Sequence, residues 1–511
     1  MTITDCSQSS SPPDDLRCEV AIVGSGCGGA TVARVLAEAG RDVLLIEEGG
    51  DFVGPQRLTQ RDLPMYDQLY ADRGARTTAD RTISVLSGKV LGGGGVINAC
   101  DVVPVHEAIW RYWHTIHGLQ QWSPQAMAPF VARALHDLSA TAIMEEQVNR
   151  NNQILRQGAQ AMGYSGELMH HNRQGCVGLG TCLIGCPLGA KRNPRMVAIP
   201  MAIAAGARVL VRARVAQISA ADRPDKTLLV RALDPKGYQE TSTFRVQAKR
   251  IVLAAGPVGT TTILAASGLG NDRLGRGLSL QPQVAVVAQM PDIVNAFEGI
   301  PQSYALTQFE RNDEKTGLGG YRIESIFGTP GILGSLVVQP GIEGKAAMAA
   351  LPYVAACLVL VPDQPVGQIG QTWSGRPRIN YTLTEEWKTR ARTAVKTAMR
   401  CFLAAGARQV MVASAPPLVV HSEKELAQVD SLSFAPASIG LISAHQQGGT
   451  PISARPDSGV CDPDGQLWGT PGVYVCDGGL FPTSSSTHTM APILTLGHFL
   501  GAKWAATWGK T

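Results

Sequence analysis

The sequence of 511 residues lacks three features, and each absence argues against a class of protein. Its 45 lysines and arginines nearly balance 41 aspartates and glutamates, and no basic run is present, so nucleic acid is not an expected partner. No basic-then-apolar export segment opens the chain, so we expect a cytoplasmic protein with reduced cysteines. The uncharged residues 346–362 contain two prolines and barely reach the length of a membrane span. A buried helical turn and strand fit this stretch better, and we expect no stable membrane span.

Glycine, in contrast, is abundant, with 56 residues against an average usage of about 7%. The 44% hydrophobic and 17% charged residues are typical of a globular protein and exclude a disordered or fibrous chain. The length alone corresponds to about three to four domains. Residues 1–17, with their serines and prolines, are predicted to form a flexible tail. Most of the informative glycines lie in clusters.

The first cluster follows a short apolar strand and consists of Gly24, Ser25, Gly26, Cys27, Gly28 and Gly29. A helical segment and a second apolar strand come next, and Glu47 follows that strand directly. This order is typical of a dinucleotide-binding turn, in which the first glycine permits the turn, the second admits the pyrophosphate and the third lets the helix pack closely. We expect Glu47 rather than Glu48 to accept from ribose hydroxyls, which favours NAD or FAD over NADP.

Two further clusters are predicted to form loops. Residues 92–95 are four consecutive glycines between apolar pairs, which indicates a loop close to a flat or charged ligand. The other cluster spaces Cys176, Cys182 and Cys186 among glycines. Structural zinc normally takes four ligands in short paired spacings, so we expect a tight loop with buried thiols and no metal, and the role of the three cysteines stays open.

With its C-terminal motifs, the sequence resembles the glucose-methanol-choline (GMC) family of FAD-dependent oxidoreductases over nearly the whole chain. Residues 88–98 are similar to the first family signature, with Gly94 and Gly95 where two serines are usual, and residues 251–270 are similar to the second. The resemblance implies an α/β fold in which a Rossmann-like FAD-binding domain is interleaved with an α+β substrate domain built on an antiparallel sheet. The FAD-binding domain would comprise residues 18–105, 175–270 and 436–511, and the substrate domain residues 106–174 and 271–435.

The resemblance also implies the cofactor and its contacts. The expected FAD contacts are Gly24, Gly26, Cys27, Gly28, Gly29, Glu47, Val90, Gly92, Gly93, Gly94, Asn98, Val215, Asp477, Gly478, Thr489 and Met490. Some family members attach FAD covalently through a histidine of the first signature. The matching residue here is Ile97, which has no nucleophile, so FAD is expected to bind noncovalently.

His445 and His488 bracket the Asp477 motif and are similar to the family's pair of reactive histidines. An imidazole with a pKa near 6.5 is suited to removing a hydroxyl proton at neutral pH. The implied reaction is oxidation of an alcohol by proton abstraction and hydride transfer to flavin N5, with His445 as the expected base and His488 as its partner. A helix after His488, capped by His488 or Thr489, is expected to direct its N-terminus at the flavin.

The substrate stays open at this point. A sugar, aminosugar or cyclitol-type hydroxyl in secondary metabolism, a long-chain or terpenoid alcohol and a small primary alcohol all fit, with oxygen or an organic or protein electron acceptor. Candidate pocket residues are Tyr304, Phe309, Tyr321, Arg322 and Phe327. A lyase on the same fold without net redox is an alternative, whereas an NAD-dependent dehydrogenase would use only the first glycine cluster and is disfavoured.

Overall fold

The structure, a computed structural model, describes residues 3–8, 16–336 and 341–509. Its helices are α1 (Cys27–Glu38), α2 (Asp62–Leu69), α3 (Gly94–Ile97), α4 (Glu107–Thr115), α5 (Pro124–Asp137), α6 (Arg150–Ala161), α7 (Ala198–Ala204), α8 (Gly256–Ala266), α9 (Pro330–Leu336), α10 (Gly341–Ala349), α11 (Glu385–Ala404) and α12 (Met490–Thr507). Its strands are β1 (Ile3–Asp5), β2 (Leu16–Val23), β3 (Val43–Ile46), β4 (Ile83–Val85), β5 (Thr141–Ala142), β6 (Gly166–Leu168), β7 (His170–His171), β8 (Arg208–Val211), β9 (Ala213–Ser219), β10 (Lys226–Leu233), β11 (Glu240–Leu253), β12 (Arg276–Leu278), β13 (Gln283–Gln289), β14 (Tyr304–Leu306), β15 (Arg322–Ser325), β16 (Val354–Leu360), β17 (Gly367–Gln371), β18 (Pro377–Asn380), β19 (Gln409–Val412), β20 (Leu418–Val420), β21 (Leu441–Ser443) and β22 (Val473–Val475).

The first large sheet carries the dinucleotide-binding elements. Its strand order is β1-β8-β3-β2-β11-β10-β9, and β22 also pairs with β11. The central strand β2 is parallel to both of its neighbours, β3 and β11. Its last four residues, 20–23, are apolar and buried, as is usual for a strand covered on both faces. The predicted order of strand, glycine turn, helix and strand is therefore confirmed as β2, α1 and β3.

The predicted tail is partly wrong. Ile3–Asp5 forms β1 and pairs in parallel with β8, opposite Val209, Leu210 and Val211. The Asp5 carboxylate also forms an ion pair with Arg212. Backbone pairing and this ion pair hold in place a segment whose composition alone suggested flexibility. Residues 1–2 and 9–15 of the predicted tail lie outside the described residues.

The second large sheet forms the other half of the molecule. Its order is β20-β19-β13-β16-β15-β14-β6, and β21 joins β13 to β4. All these pairs are antiparallel except β21 with β4, which agrees with the antiparallel sheet expected for the substrate half. The strands β4 and β21 come from segments assigned to the FAD-binding half, so the chain crosses between the sheets at these points. The exact domain boundaries stay a prediction.

Helices α1 and α12 pack closely because two glycines of α12 face Thr31 and Val35 of α1. A Cβ atom built at Gly497 would lie 2.9 Å from Cβ of Thr31, and one built at Gly501 would lie 3.2 Å from Cβ of Val35. Larger side chains at these two glycines would separate the helices. This packing holds the N-terminus of α12 beside the first glycine cluster.

The uncharged residues 346–362 contribute the end of α10, a short 3-10 turn (Leu351–Tyr353) and β16. The strand lies inside the second sheet between β13 and β15, with all residues after Val354 buried. The predicted helical turn and strand are thus confirmed. Within the described parts of the chain, no helix combines the length and the apolar character that crossing a membrane demands.

Candidate active site

The first glycine cluster makes backbone contacts that a side chain would block. A Cβ atom built at Gly24 would lie 2.4 Å from the Ala254 oxygen, and one at Gly28 would lie 1.9 Å from the Cys476 oxygen. Gly24 also has φ of +97°, in the left-handed region that favours glycine. Gly26 is different, because no atom of the described residues lies within 4 Å of a Cβ built there. The turn therefore packs tightly against the Ala254 and Cys476 backbones at Gly24 and Gly28, and it leaves open space at Gly26.

The N-terminus of helix α1, which follows this turn, is suited to binding an anion. Its N-cap is Gly26, and among the described residues no side chain caps it; its first turn, from Cys27, carries no acidic residue. The first N–H groups of a helix have no partner within the helix, and its N-terminus carries partial positive charge. The open side at Gly26 and these donors fit a pyrophosphate group.

The second glycine cluster lies against the first. A Cβ built at Gly93 would be 2.7 Å from Cα of Gly26, whereas one built at Gly94 would have no described atom within 4 Å apart from its chain neighbours and the backbone of its own helix. Gly92 and Gly93 have φ of +105° and +57°. The expectation of a loop through all four glycines is corrected, because Gly94 begins the short helix α3. Two open glycine positions on adjoining backbones form a cradle that fits a flat, anionic dinucleotide.

Glu47 connects the two glycine clusters. One of its carboxylate oxygens accepts from the Ser25 N–H at 3.0 Å and the Ser25 hydroxyl at 2.6 Å, and the other accepts from the Gly49 N–H at 2.8 Å. The Ser25 hydroxyl in turn accepts from the Gly92 N–H at 2.9 Å. Burial raises the pKa of Glu47, and these hydrogen bonds partly oppose that shift. A carboxylate has about four acceptor positions, so about one is left, and ribose binding by Glu47 stays a prediction.

Two more predicted contacts lie near Glu47. Val90 forms a bridge with Gly50, three residues after Glu47. Val215 is buried in β9, and the first residue of that strand, Ala213, donates its N–H to the Glu47 backbone oxygen at 2.9 Å. The chain therefore places both valines around the end of β3.

Asn98, Thr489 and Met490 meet at the N-terminus of α12. The Asn98 amide nitrogen lies 3.1 Å from the Met490 sulfur. Thr489 is the N-cap of α12, but its side chain makes no capping hydrogen bond to the described residues, and the first turn has no acidic residue. The predicted helix is confirmed, whereas the predicted side-chain cap by Thr489 is wrong. The first backbone N–H groups of α12 therefore remain available to other partners.

Asp477 and Gly478 join the first glycine cluster to the His445 segment. Asp477 accepts from the Gly479 N–H at 2.7 Å and from the Thr260 hydroxyl at 2.5 Å. Burial raises the pKa of its carboxyl to about 6, although these hydrogen bonds oppose the shift. The Gly478 oxygen accepts from the Gly448 N–H at 2.9 Å, three residues beyond His445.

The two predicted histidines are neighbours. Their ring centroids are 4.8 Å apart, with 66° between the ring planes. His445 follows β21 of the second sheet, and His488 precedes α12 of the FAD-binding half, so the pair forms where the two halves meet. Both side chains are buried, with 7% and 8% of each residue exposed.

His445 is held as a neutral imidazole. Its Nδ1 lies 2.7 Å from the Gln281 side-chain oxygen and 3.4 Å from the Gln283 side-chain nitrogen. The shorter contact assigns the ring proton to Nδ1, which leaves a lone pair on Nε2. Burial and the neighbouring His488 lower the pKa of His445 to about 3, and Glu324 opposes them only in part.

The surroundings of His488 favour its cationic form. Its Nε2 lies 3.1 Å from a Glu324 oxygen and 3.7 Å from an Asp101 oxygen. Burial by itself would lower the pKa of His488, but the carboxylates of Glu324 and Asp101 raise it above the ordinary value. Its Nδ1 is buried and has no hydrogen-bond partner among the described residues. This nitrogen is available to a ligand, and in the cationic ring it is a donor.

The sequence analysis missed Glu324, Asp101 and Gln281. Glu324 pairs with Arg322 and accepts from the Gln302 amide at 3.1 Å. Burial would raise the pKa of Glu324, but His488 and Arg322 lower it to about 2. Asp101 lies 2.7 Å from Nε2 of the buried His171.

These missed residues left different signals in the sequence. Arg322 and Glu324 alternate on β15 with Ile323 between them, and opposite charges on one face of a buried strand indicate an ion pair. Asp101 follows the first family signature closely. Gln281 left no signal, because its role depends on a residue far along the chain.

A narrow cavity adjoins His488, and both polar and apolar groups line it. Its walls are Gln281, Glu310, Asn312, Gly319, Gly320, Tyr321, Arg322, Leu360, Pro362, Ser486, Thr487 and His488. Tyr321 and Arg322 line this cavity, and their role in substrate binding stays a prediction. The other three predicted pocket residues do not line this cavity: Tyr304 and Phe327 are buried in the core of the second sheet, and Phe309 stacks on Tyr321.

The fold and the site together define a dinucleotide-binding protein in which two buried histidines meet near the glycine cradle. Comparison with known proteins narrows this class. The family model described as GMC oxidoreductase matches residues 66–283 in its N-terminal part and residues 368–497 in its C-terminal part. A model of an NAD(P)-binding Rossmann-like domain matches residues 22–84.

Individual proteins agree with the family models. An uncharacterized GMC-type oxidoreductase of Mycobacterium tuberculosis is 32% identical over 495 residues, which cover 96% of this chain and 76% of that protein. A long-chain-alcohol oxidase of Arabidopsis thaliana is 25% identical, over 94% of this chain and 65% of that one. The crystal structure of pyridoxine 4-oxidase from Mesorbium loti has the same fold, with a TM-score of 0.73, 16% identity and coverage of 96% of this chain and 100% of that one.

The chain belongs to the GMC oxidoreductase family. It is accordingly a FAD-dependent oxidoreductase that acts on CH–OH donors, with a small molecule as its substrate.

Proposed function

We propose that the enzyme oxidises a small polar alcohol, such as a sugar, aminosugar or cyclitol-type hydroxyl, to an aldehyde or ketone. The polar side chains among the residues that line the cavity beside His488 carry this proposal. Gln281, Glu310, Asn312 and Arg322 present amide and charged groups there, and these groups pair with hydroxyls more readily than with an alkyl chain. A long-chain alcohol would instead need a continuous apolar wall.

The cradle of Gly26, Gly93 and Gly94 and the N-terminus of α1 would hold FAD, with Glu47 on the ribose and Asp477 and the N-terminus of α12 nearby. FAD, when bound, supplies the acceptor for the hydride that leaves the alcohol carbon. Binding would be noncovalent, because Ile97 has no nucleophilic atom. The proteins named as oxidases among the relatives support oxygen as the electron acceptor.

Both histidines would act on the hydroxyl group of the substrate, each in a different role. Nε2 of His445 takes the hydroxyl proton, because Nδ1 is already bonded to Gln281 and the low pKa keeps Nε2 unprotonated at neutral pH. Nδ1 of the cationic His488 donates to the same oxygen and stabilises the negative charge that develops there.

Anaerobic mixing of the FAD-loaded enzyme with a panel of alcohols tests the proposal. We expect sugar-type, aminosugar and cyclitol alcohols to bleach the flavin absorbance and straight-chain alcohols of ten or more carbons to leave it unchanged on the same timescale. Bleaching by the long-chain alcohols alone would contradict the polar substrate and favour the activity named for the Arabidopsis relative. Conversion of an alcohol without any bleaching would favour a lyase.

A further inference from the structure

A wide cleft lies outside the histidine site, where the end of α4, the paired strands β12 and β17 and residues 451–458 come together. Its volume is about 840 Å³, which is in the range of pockets that hold a small molecule. Neither reactive histidine and none of the cradle glycines belongs to its walls. The cleft is therefore a candidate ligand site separate from the candidate active site.

The walls of this cleft carry an excess of positive charge. Arg273, Arg276 and Arg455 line it, and the described residues of the lining include no aspartate or glutamate. Asp457, which is not part of the lining, pairs with Arg455 at 3.3 Å. Arg273 and Arg276 form no ion pair with a described residue, and neither does the neighbouring Asp272. This charge distribution favours an anionic ligand.

Arg273 and Arg276 present hydrogen-bond donors that the described residues leave unused. Nε of Arg273 donates to the Asp457 backbone oxygen at 2.8 Å, and Nε of Arg276 donates to the Asp272 backbone oxygen at 2.9 Å. The Nη nitrogens of both arginines have no hydrogen-bond partner in the described parts of the chain. Both side chains are exposed, so a ligand can reach these nitrogens. A guanidinium held at Nε offers its planar Nη fork to carboxylate or phosphate oxygens.

Apolar side chains lie in the same cleft. Ile116 is 62% exposed and Val366 is 44% exposed, and both belong to the walls. Val366 directly precedes β17, in which Gln368 is paired with Arg276 of β12, so apolar and cationic groups are neighbours. Large apolar side chains that remain open to solvent in a concave surface are typical of a binding site. The cleft thus fits a molecule with an anionic group and an apolar body.

We propose that this cleft binds a small organic anion, a carboxylate or phosphate ester attached to an apolar body, at a site separate from the oxidation of the alcohol. Its anionic group binds the Nη nitrogens of Arg273 and Arg276, and its apolar body lies against Ile116 and Val366. Charge-assisted hydrogen bonds make the site selective for anions, and burial of apolar surface adds affinity. The ligand is a free small molecule, because a cleft of this volume encloses a ligand of that size.

Calorimetric titration of the FAD-loaded enzyme tests the proposal. Octyl phosphate and octanoate are the anionic probes, and octanamide is their uncharged counterpart. We expect both anions to bind, more weakly as the salt concentration rises, and octanamide to bind at least about 10-fold more weakly, because hydrogen bonds to charged groups contribute most of the difference. Octanamide that binds as tightly as the anions would overturn the proposal, and so would folded wild-type enzyme that binds neither anion.

Paired arginine variants locate the site. R273Q/R276Q should bind both anions at least about 10-fold more weakly than the wild type. The matched control R245Q/R408Q removes two exposed arginines outside the cleft that likewise form no ion pair with described residues, and it should keep the wild-type affinity. The flavin absorbance of each variant checks its folding. Unchanged affinity in R273Q/R276Q, or an equal loss in both double variants, would overturn the site.

Vesicles of phosphatidylglycerol distinguish a free ligand from a lipid headgroup. We expect the FAD-loaded wild type to stay in solution when such vesicles are sedimented. Sedimentation with the vesicles that is lost in R273Q/R276Q would overturn the assignment of the cleft to a free small molecule.

Discussion

At the residue scale, the charge of each reactive histidine depends on its nearest polar neighbour. His445 contacts an amide oxygen, that of Gln281, and burial keeps it neutral. His488 contacts Glu324, whose negative charge outweighs burial and raises the pKa of the ring. The sequence predicted both histidines from their motifs. It did not predict their surroundings, because Gln281 precedes β13 and Glu324 lies on β15, each more than 150 residues from the histidine that it contacts, and no local pattern links them.

Replacing the Glu324 carboxylate tests this division of charge. In E324Q the main attraction that raises the pKa of His488 is gone, so burial lowers that pKa and the ring loses its proton at a lower pH. We expect kcat/KM at pH 7 to fall by about 100-fold, the loss typical of one oxyanion donor. The alkaline limb of the pH profile should move to lower pH, because His488 must be protonated to act.

The exposed Glu146 supplies the matched control, E146Q, which should keep the wild-type profile. An E324Q profile that superimposes on the wild type would show that Glu324 does not set the charge of His488.

At the scale of elements, the site depends on how closely α12 lies against α1. Gly497 touches Thr31, and this contact holds the N-terminus of α12 near the glycine cradle. The sequence predicted both helices, since each follows a recognisable glycine or histidine motif. It could not predict β1 or the start of α3, because pairing with β8 and contact with Gly26 decide those elements and both partners are distant in sequence.

A larger side chain at Gly497 should therefore separate the two helices. We expect G497V to lower the free energy of unfolding by about 1–3 kcal/mol, the usual cost of overpacking, and to weaken FAD binding. Urea titration and FAD titration measure the two effects. In G440V the new side chain points into open space, with none of the described atoms within 4 Å of its Cβ position, so both values should stay near wild type. Equal effects in the two variants would argue against the role of helix packing.

At the scale of the whole molecule, the active site forms only where the two sheets meet. The first sheet and its helices bring the glycine cradle, Asp477 and His488, and the second brings Glu324 and His445. Family motifs in the sequence were sufficient to predict the fold and the cradle. The polar network around the histidines follows from the meeting of both halves, which is why the chemistry depends on the complete chain.

Anaerobic flavin bleaching by a polar alcohol, compared between the wild type and H445Q, tests the central claim most directly. General-base catalysis contributes about 10²- to 10⁴-fold, so H445Q should bleach at least about 100-fold more slowly while binding FAD as tightly as the wild type. H421Q, which changes an exposed histidine, should bleach at the wild-type rate. Bleaching of H445Q at the wild-type rate, with FAD fully bound, would contradict the account.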